Sequence, residues 1–124
     1  MMKKIYFTIA GTKYYHGSDF MQPGMQVHLI KEPDNRCDRE AIRVEMDGLG
    51  KIGYVANSCR TVIGESFSAG RMYDRIGDTA EGEILYVLED GVLCSVDEGS
   101  VIYELWQKII VEETVEETAE ETVD

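Results

Sequence analysis

The sequence predicts a mainly β domain with one or two short helices, arranged as a small barrel or sandwich. Four short segments rich in β-branched and aromatic residues fall within the first 57 positions, and clusters of turn formers separate them. Two further apolar segments flank Asp90-Gly91, which is typical of a β-hairpin. An apolar content of 44% is sufficient for one core, and 124 residues fit one domain with a tail better than two domains.

The first half is predicted to contain four strands. In the second of these, Val27 and Leu29 share one face and His28 lies on the other. In the third, Ile42 and Val44 alternate with polar residues in the same way. The strands are KKIYFTIA (3–10), MQVHLIKE (25–32), AIRVEM (41–46) and KIGYVA (51–56).

The pattern changes after Asn57. One or two short helices are predicted between 58 and 77, and the hairpin is predicted over 81–98. The segment SVIYELWQKIIV fits a strand or a helix equally well. We therefore predict a domain over 1–110 and a disordered acidic tail over 111–124, where an E-E-T-x unit repeats.

The net charge of −12 is unevenly distributed. Residues 1–60 carry nine Lys/Arg against seven Asp/Glu, residues 61–110 carry three against ten, and the tail carries seven acidic groups and no basic ones. Strong non-specific nucleic-acid binding is disfavoured, because it depends on neutralising phosphates. A local site in the first sixty residues stays open, and a solubilising role is the simplest one for the tail.

The chain is expected to be cytoplasmic, with no membrane segment and with reduced thiols. Its N-terminal apolar patch is too short for a signal peptide, and three widely spaced cysteines do not suggest a disulfide framework. Neither a phosphate-binding glycine loop nor metal-ligand spacing is present, so we predict no metal, no cofactor and no catalysis. The cysteines and histidines considered as ligands are Cys37, Cys59, Cys94, His16 and His28.

A candidate site is predicted around KEPDNRCDREAIRV. Asn35 and Asp38 follow a turn, and Tyr14 provides a ring for stacking nearby in the predicted barrel. The phosphate donors of this set are Lys31, Arg36, Arg39 and Arg43. From the residues alone, the alternative is that Asp34 and Asp38 only stabilise the turn and pair with Arg36 and Arg39.

The segment GTKYYHG places Lys13 and two tyrosines between glycines. If strand alternation continues into it, Tyr14 and Tyr15 point to opposite faces, so that one joins the core and the other is exposed. Alternation alone does not say which of the two is exposed.

Three segments together resemble the HIRAN domain family: GTKYYHG, PGMQVHLIKEPDNRCDREAIRVEM and KIGYVANS. The family pattern is G-x-R/K-Y-Y/H-x-G, then R/K-E-P-x-N-x-x-D-x-x-A-I-x-V, then V/I-G-x-I/V. The match runs from about Ile5 to Asn57, and both order and spacing agree. The resemblance implies a small OB-like β-barrel. HIRAN domains occur alone in bacteria or fused to DNA-repair ATPases and nucleases.

The resemblance also implies a non-catalytic module that binds the 3′ end of single-stranded DNA, with a role in DNA repair. In such domains aromatic rings sandwich the terminal bases, and an aspartate meets the 3′-hydroxyl. Carried over by position, Lys13 matches a phosphate-binding arginine, Tyr14 a stacking tyrosine and Tyr15 its neighbour. Asn35 matches a polar contact and Asp38 the aspartate. On this basis Tyr14 is the exposed tyrosine.

The sequence departs from the family at three positions of the implied site. Cys37 replaces the second stacking tyrosine, and Tyr54 and Asn57 stand in place of a histidine and a lysine. The predicted DNA site nevertheless includes Tyr54 and Asn57, and the Tyr54 ring could replace the stacking ring that Cys37 lacks. These departures and the acidity leave a second hypothesis open: a protein-interaction module that has lost DNA affinity and binds a partner through its acidic tail.

Overall fold

Six antiparallel strands close into a barrel in the computed structural model, which describes residues 4–102. Around the barrel they follow the order β1-β4-β3-β2-β5-β6, and β6 closes onto β1. The mainly β class and the small barrel are thereby confirmed. The strands are β1 Tyr6–Ala10, β2 Gln26–Lys31, β3 Ile42–Met46, β4 Gly50–Val55, β5 Thr79–Leu88 and β6 Gly91–Val96.

Alternating side chains fill the barrel. Val27 and Leu29 of β2 are fully buried, as are Ile42 and Val44 of β3, which confirms the predicted faces. Phe7 also enters the core, and Cys94 lies there as a small apolar residue. Alternation along the strands supplies most of the core, and residues outside the strands, among them Phe67, Met72 and Ile76, complete it.

The helical content is short and lies partly where it was predicted. The α-helix α1 spans Ala69–Met72, and 3₁₀ turns span Thr12–Tyr14, Tyr73–Arg75 and Glu98–Ser100. Ser68 caps α1 by accepting from the backbone N–H of Arg71 at 3.2 Å. The hairpin turn lies at residues 89–90, one position before the Asp90-Gly91 predicted. The segment of ambiguous type from residue 103 onward, the domain boundary at 110 and the acidic tail lie outside the described residues.

His28, on the outer face of β2, joins two carboxylates. Its Nε2 lies 2.8 Å from Asp47 Oδ1, and its Nδ1 bonds to Glu81 on β5. The hydrogen bond to Asp47 is the main effect that raises the pKa of His28, with help from Glu81 and against partial burial. The contact ties β2 to β5 and to the β3–β4 turn.

Candidate nucleic-acid interface

Glu32, which directly follows β2, is the centre of a polar network. Its carboxylate accepts hydrogen bonds from Asn35 Nδ2 at 2.8 Å, from the Tyr54 hydroxyl at 2.9 Å and from Arg43 at 3.2 Å. Lys51 Nζ lies 3.9 Å away. Burial opposes ionisation of Glu32, but the hydrogen bonds from its neighbours outweigh burial and lower its pKa. Glu32 therefore stays charged and fixes the groups around it.

Two aromatic rings lie against this network. The ring centroids of Tyr15 and Tyr54 are 6.4 Å apart at an interplanar angle of 53°. Lys51 Nζ lies 5.6 Å from the first centroid and 4.9 Å from the second, and it donates to the Tyr54 hydroxyl at 2.8 Å. That hydrogen bond raises the pKa of Lys51, and burial raises the pKa of Tyr54. The result is an aromatic pair with a lysine beside both rings, and the charge of that lysine is partly balanced by Glu32.

Asn35 organises the loop between β2 and β3. Its Oδ1 accepts from the backbone N–H groups of Cys37 at 2.9 Å and Asp38 at 3.0 Å. Its Nδ2 donates to Glu32, so both ends of the amide are engaged. Asn35 is therefore a positioning residue that aims Asp38, by the local side-chain capping typical of asparagine in turns.

Asp38 connects the loop to the helical segment. Its Oδ1 accepts from the Glu40 backbone N–H at 2.9 Å, and its Oδ2 accepts from Asn57 Nδ2 at 2.8 Å. Asn57 Oδ1 in turn accepts from the Gly70 backbone N–H at 2.8 Å. A carboxylate offers about four lone-pair sites, so Asp38, which is half-exposed, keeps capacity for a further donor.

Both tyrosines of GTKYYHG are exposed, 75% for Tyr14 and 41% for Tyr15, so the prediction that one joins the core is wrong. The reason is local: β1 ends at Ala10, and Thr12–Tyr14 form a 3₁₀ turn in which strand alternation does not apply. Lys13 Nζ lies 5.1 Å from the Tyr14 ring centroid. Tyr14 thus presents an exposed ring beside a cation.

Of the four basic residues proposed from sequence, two are bound by other groups of the protein and two form no salt bridge within residues 4–102. Arg43 is bound by Glu32 and Glu45, while Lys31 donates to the carbonyl of Ile76 at 2.8 Å. Arg36 and Arg39 form no salt bridge within residues 4–102, so their pairing with Asp34 and Asp38 is not seen there. Their loop, residues 33–39, borders an open depression of about 700 Å³.

Comparison with known proteins identifies the family. The model of the HIRAN domain matches residues 2–86, more than half of the 124 residues. The chain belongs to the HIRAN domain family. None of the curated protein sequences matches it significantly.

Two solved structures are similar to this chain, and the first of them supports the barrel. The crystal structure of the HIRAN domain of human HLTF superposes with a TM-score of 0.50 at 17% identity, covering 75% of this chain and 74% of that one. A protein from Lactobacillus plantarum gives a TM-score of 0.47 at 20% identity, covering 77% of this chain and 98% of that one. At this level of identity the first similarity supports the fold.

In this HIRAN domain contacts join five of the seven sequence-predicted site residues, Tyr15, Tyr54, Asn35, Asp38 and Asn57, whereas Lys13 and Tyr14 contact each other outside this series. Tyr15 touches Tyr54, Tyr54 reaches Asn35 through Glu32, and Asn35 leads to Asp38. The missed residues are Glu32 and Lys51. Glu32 precedes Pro33 in the family pattern, but its role depends on Tyr54, 22 residues away in sequence.

Residues 4–102 include no helix long and apolar enough to cross a bilayer.

Proposed function

We propose that this HIRAN domain is a non-catalytic module that binds the 3′ end of single-stranded DNA. Asp38 accepts a hydrogen bond from the terminal 3′-hydroxyl, Tyr14 stacks on a base, and Lys13 contacts a phosphate. The Tyr15–Tyr54 pair provides the second aromatic surface in place of the ring that Cys37 lacks.

One observation carries the proposal: a continuous series of contacts leads from the Tyr15–Tyr54 rings through Glu32 and Asn35 to the backbone N–H of Asp38. A 3′-terminal nucleotide needs a stacking surface and a hydroxyl acceptor at a fixed separation. The contacts through Glu32 and Asn35 support the proposal because they join the rings to the loop of Asp38 before any ligand binds, and such preorganisation lowers the ordering cost of binding.

The test is fluorescence anisotropy with a short labelled strand that ends in a 3′-hydroxyl or a 3′-phosphate. We expect preference for the hydroxyl, and Asp38→Ala should reduce hydroxyl-strand affinity by roughly 1.5–3 kcal/mol, the range for a hydrogen bond to a charged group. Asp34→Ala is the matched control, because it removes the same charge from the same loop and has no side-chain hydrogen bond or salt bridge within residues 4–102. Equal preference in wild type and Asp38→Ala would remove Asp38 from the site.

Tyr14→Ala tests the stacking surface separately. The ring is 75% exposed, so its removal leaves the fold intact. Loss of stacking on one base costs roughly 1–3 kcal/mol for any base sequence. An unchanged dissociation constant for Tyr14→Ala would contradict its role.

The net charge of −12 favours a second candidate, a protein-interaction module without DNA affinity. Deleting residues 111–124 distinguishes the two. Binding of the hydroxyl strand before or after deletion supports the DNA module, and stronger binding after deletion indicates that the tail competes with DNA. Absence of binding in both forms supports the protein-interaction candidate.

A further inference from the structure

An apolar patch lies on the outer face of β6 and of its neighbours β1 and β5. Leu93 of β6 alternates with buried neighbours, so it points out of the barrel. Tyr86 of β5 lies directly opposite Leu93, and Tyr6 of β1 lies on the diagonal, because it pairs with Ser95 two positions along. Leu88, two positions beyond Tyr86, extends the same face. We call Tyr6, Tyr86, Leu88 and Leu93 the apolar patch.

The apolar patch is open on its outer side. Tyr86 is 61% exposed, Leu88 44% and Tyr6 41%, so residues 4–102 leave much of its surface uncovered. The adjoining outer face of β1 differs, because Thr8, which pairs with β6, is fully buried and bonds to Ser66 at 2.9 Å. The chain thus covers one part of this face with the segment before α1 and leaves the rest exposed. Contiguous exposed apolar patches mark surfaces that receive another segment or a partner.

The described part of the chain ends close to this patch. The backbone N–H of Ile102 donates to the Arg75 carbonyl at 2.9 Å. Arg75 Cζ lies 5.4 Å from the ring centroid of Phe67, whose backbone N–H donates to the Tyr6 carbonyl at 2.6 Å. Two residues thus connect the last described position to the edge of the apolar patch. Residues 103–111 can extend to about 30 Å, enough to reach across β1, β6 and β5, whose neighbouring strands lie about 5 Å apart.

Residues 103–111, YELWQKIIV, have a composition that suits the apolar patch. The charges of Glu104 and Lys108 cancel, and the other residues apart from one glutamine are apolar. The acidic residues that follow suit it less, because the outer face of β5 carries Glu81 and Glu83 and would repel them. A second copy is disfavoured by the net charge of −12 on each chain. Residues 103–111 are instead joined to the domain and reach the patch at high effective concentration.

We propose that residues 103–111 dock on the apolar patch and cover it, so that the folded domain extends to about residue 111. This surface is separate from the candidate DNA site. In the order of the six strands β6 lies three places from β3, and β3 directly follows the loop that carries Asn35 and Asp38. The inference therefore stands or fails independently of the proposed function.

The test uses Trp106, the one tryptophan of the chain, whose fluorescence reports on this segment alone. Acrylamide quenching of its emission is measured for the full chain, native and unfolded in urea, over a series of protein concentrations. We expect the native chain to protect Trp106 from quenching at every concentration. Tyr86→Ser and Leu93→Ser should each raise the native quenching constant towards the unfolded value and shift the emission to longer wavelength.

Tyr86→Ser removes a mostly exposed ring, so the barrel stays folded even if Leu93→Ser destabilises it, and circular dichroism checks both variants. The control is Leu49→Ser, which removes an exposed leucine from the turn between β3 and β4, outside the apolar patch. It should leave the quenching of Trp106 unchanged.

Protection that is lost in both patch variants and kept in Leu49→Ser supports docking. Equal quenching of Trp106 in the native and the unfolded wild type overturns it, as does protection that survives both patch substitutions. Protection that appears only as the protein concentration rises assigns the apolar patch to a second copy and overturns docking within one chain. None of these outcomes depends on whether the domain binds a DNA strand.

Discussion

Replacing Glu32 with glutamine should loosen the whole candidate site. The carboxylate accepts from Asn35 at 2.8 Å, from Tyr54 at 2.9 Å and from Arg43 at 3.2 Å. Glutamine has nearly the same shape, but it has one acceptor oxygen in place of two and no charge. At least one of the three donors then loses its partner, and the remaining bonds become neutral.

The expected loss of stability is about 2 kcal/mol. A hydrogen bond to a charged group contributes roughly 1.5–3 kcal/mol and a neutral one about 0.5–1.5, so neutralisation weakens each bond by about 1 kcal/mol. Three bonds would give about 3 kcal/mol, but the side chain of Arg43 is 33% exposed and water compensates part of its loss. A change of about 2 kcal/mol lowers Tm by roughly 8–16 °C in a domain of about 100 residues.

Thermal and urea unfolding followed by circular dichroism measure this loss. Glu83→Gln is the control, because within residues 4–102 the Glu83 carboxylate accepts only a long hydrogen bond of 3.4 Å, from Gln26. This substitution should change stability by less than about 0.5 kcal/mol. Since the pKa of Glu32 is lowered by folding, its contribution is present at neutral pH. That contribution disappears as pH falls below the ordinary value of 4.5 and through the folded-state pKa. Equal stability of Glu32→Gln and Glu83→Gln at pH 7 would refute the reasoning.

Two further predictions concern the barrel. Gly53→Ala places a Cβ 2.7 Å from Ile9 Cγ2 and 2.8 Å from a β1 carbonyl, so urea unfolding should show a loss of roughly 1–3 kcal/mol. Gly99→Ala, with no atom within 4 Å, should be close to neutral, and equal effects would contradict the packing argument. His28→Gln should destabilise the domain at pH 5.5 by up to about 1 kcal/mol, because only the protonated ring donates to both carboxylates and pairs with their charges. This difference should fall away as pH rises through the raised pKa of His28. If the stability difference between wild type and His28→Gln instead grew towards about pH 8.5, the prediction that protonation of His28 stabilises the fold would be wrong.

The strands were predictable because their signal is local. Alternation along β2 and β3 selects the core face within each strand, and turn formers mark where each ends. Closure of the sheet into a barrel depends on contacts between distant segments. The local patterns therefore fitted a barrel and a sandwich equally well. The pairing of β1 with both β4 and β6 brings together segments far apart in sequence. Gly53 belongs to that closure, since its missing Cβ lets β4 approach β1.

The tyrosine pair shows how a local rule fails where its element ends. Alternation requires an extended backbone, but the chain leaves β1 at Ala10 and turns. Both rings are consequently exposed, and their contacts differ: Tyr15 lies against Tyr54 of β4, whereas Tyr14 lies beside Lys13 of its own turn.

The sequence by itself determined the loop that carries Asn35 and Asp38. Their side chains cap backbone groups two or three residues away, and such contacts depend only on neighbouring residues. The tertiary structure alone decided that Glu32 joins this loop to Tyr54 and that Asn57 joins it to α1. Those contacts exist because barrel closure brings distant segments within hydrogen-bond distance, and no local pattern encodes that distance.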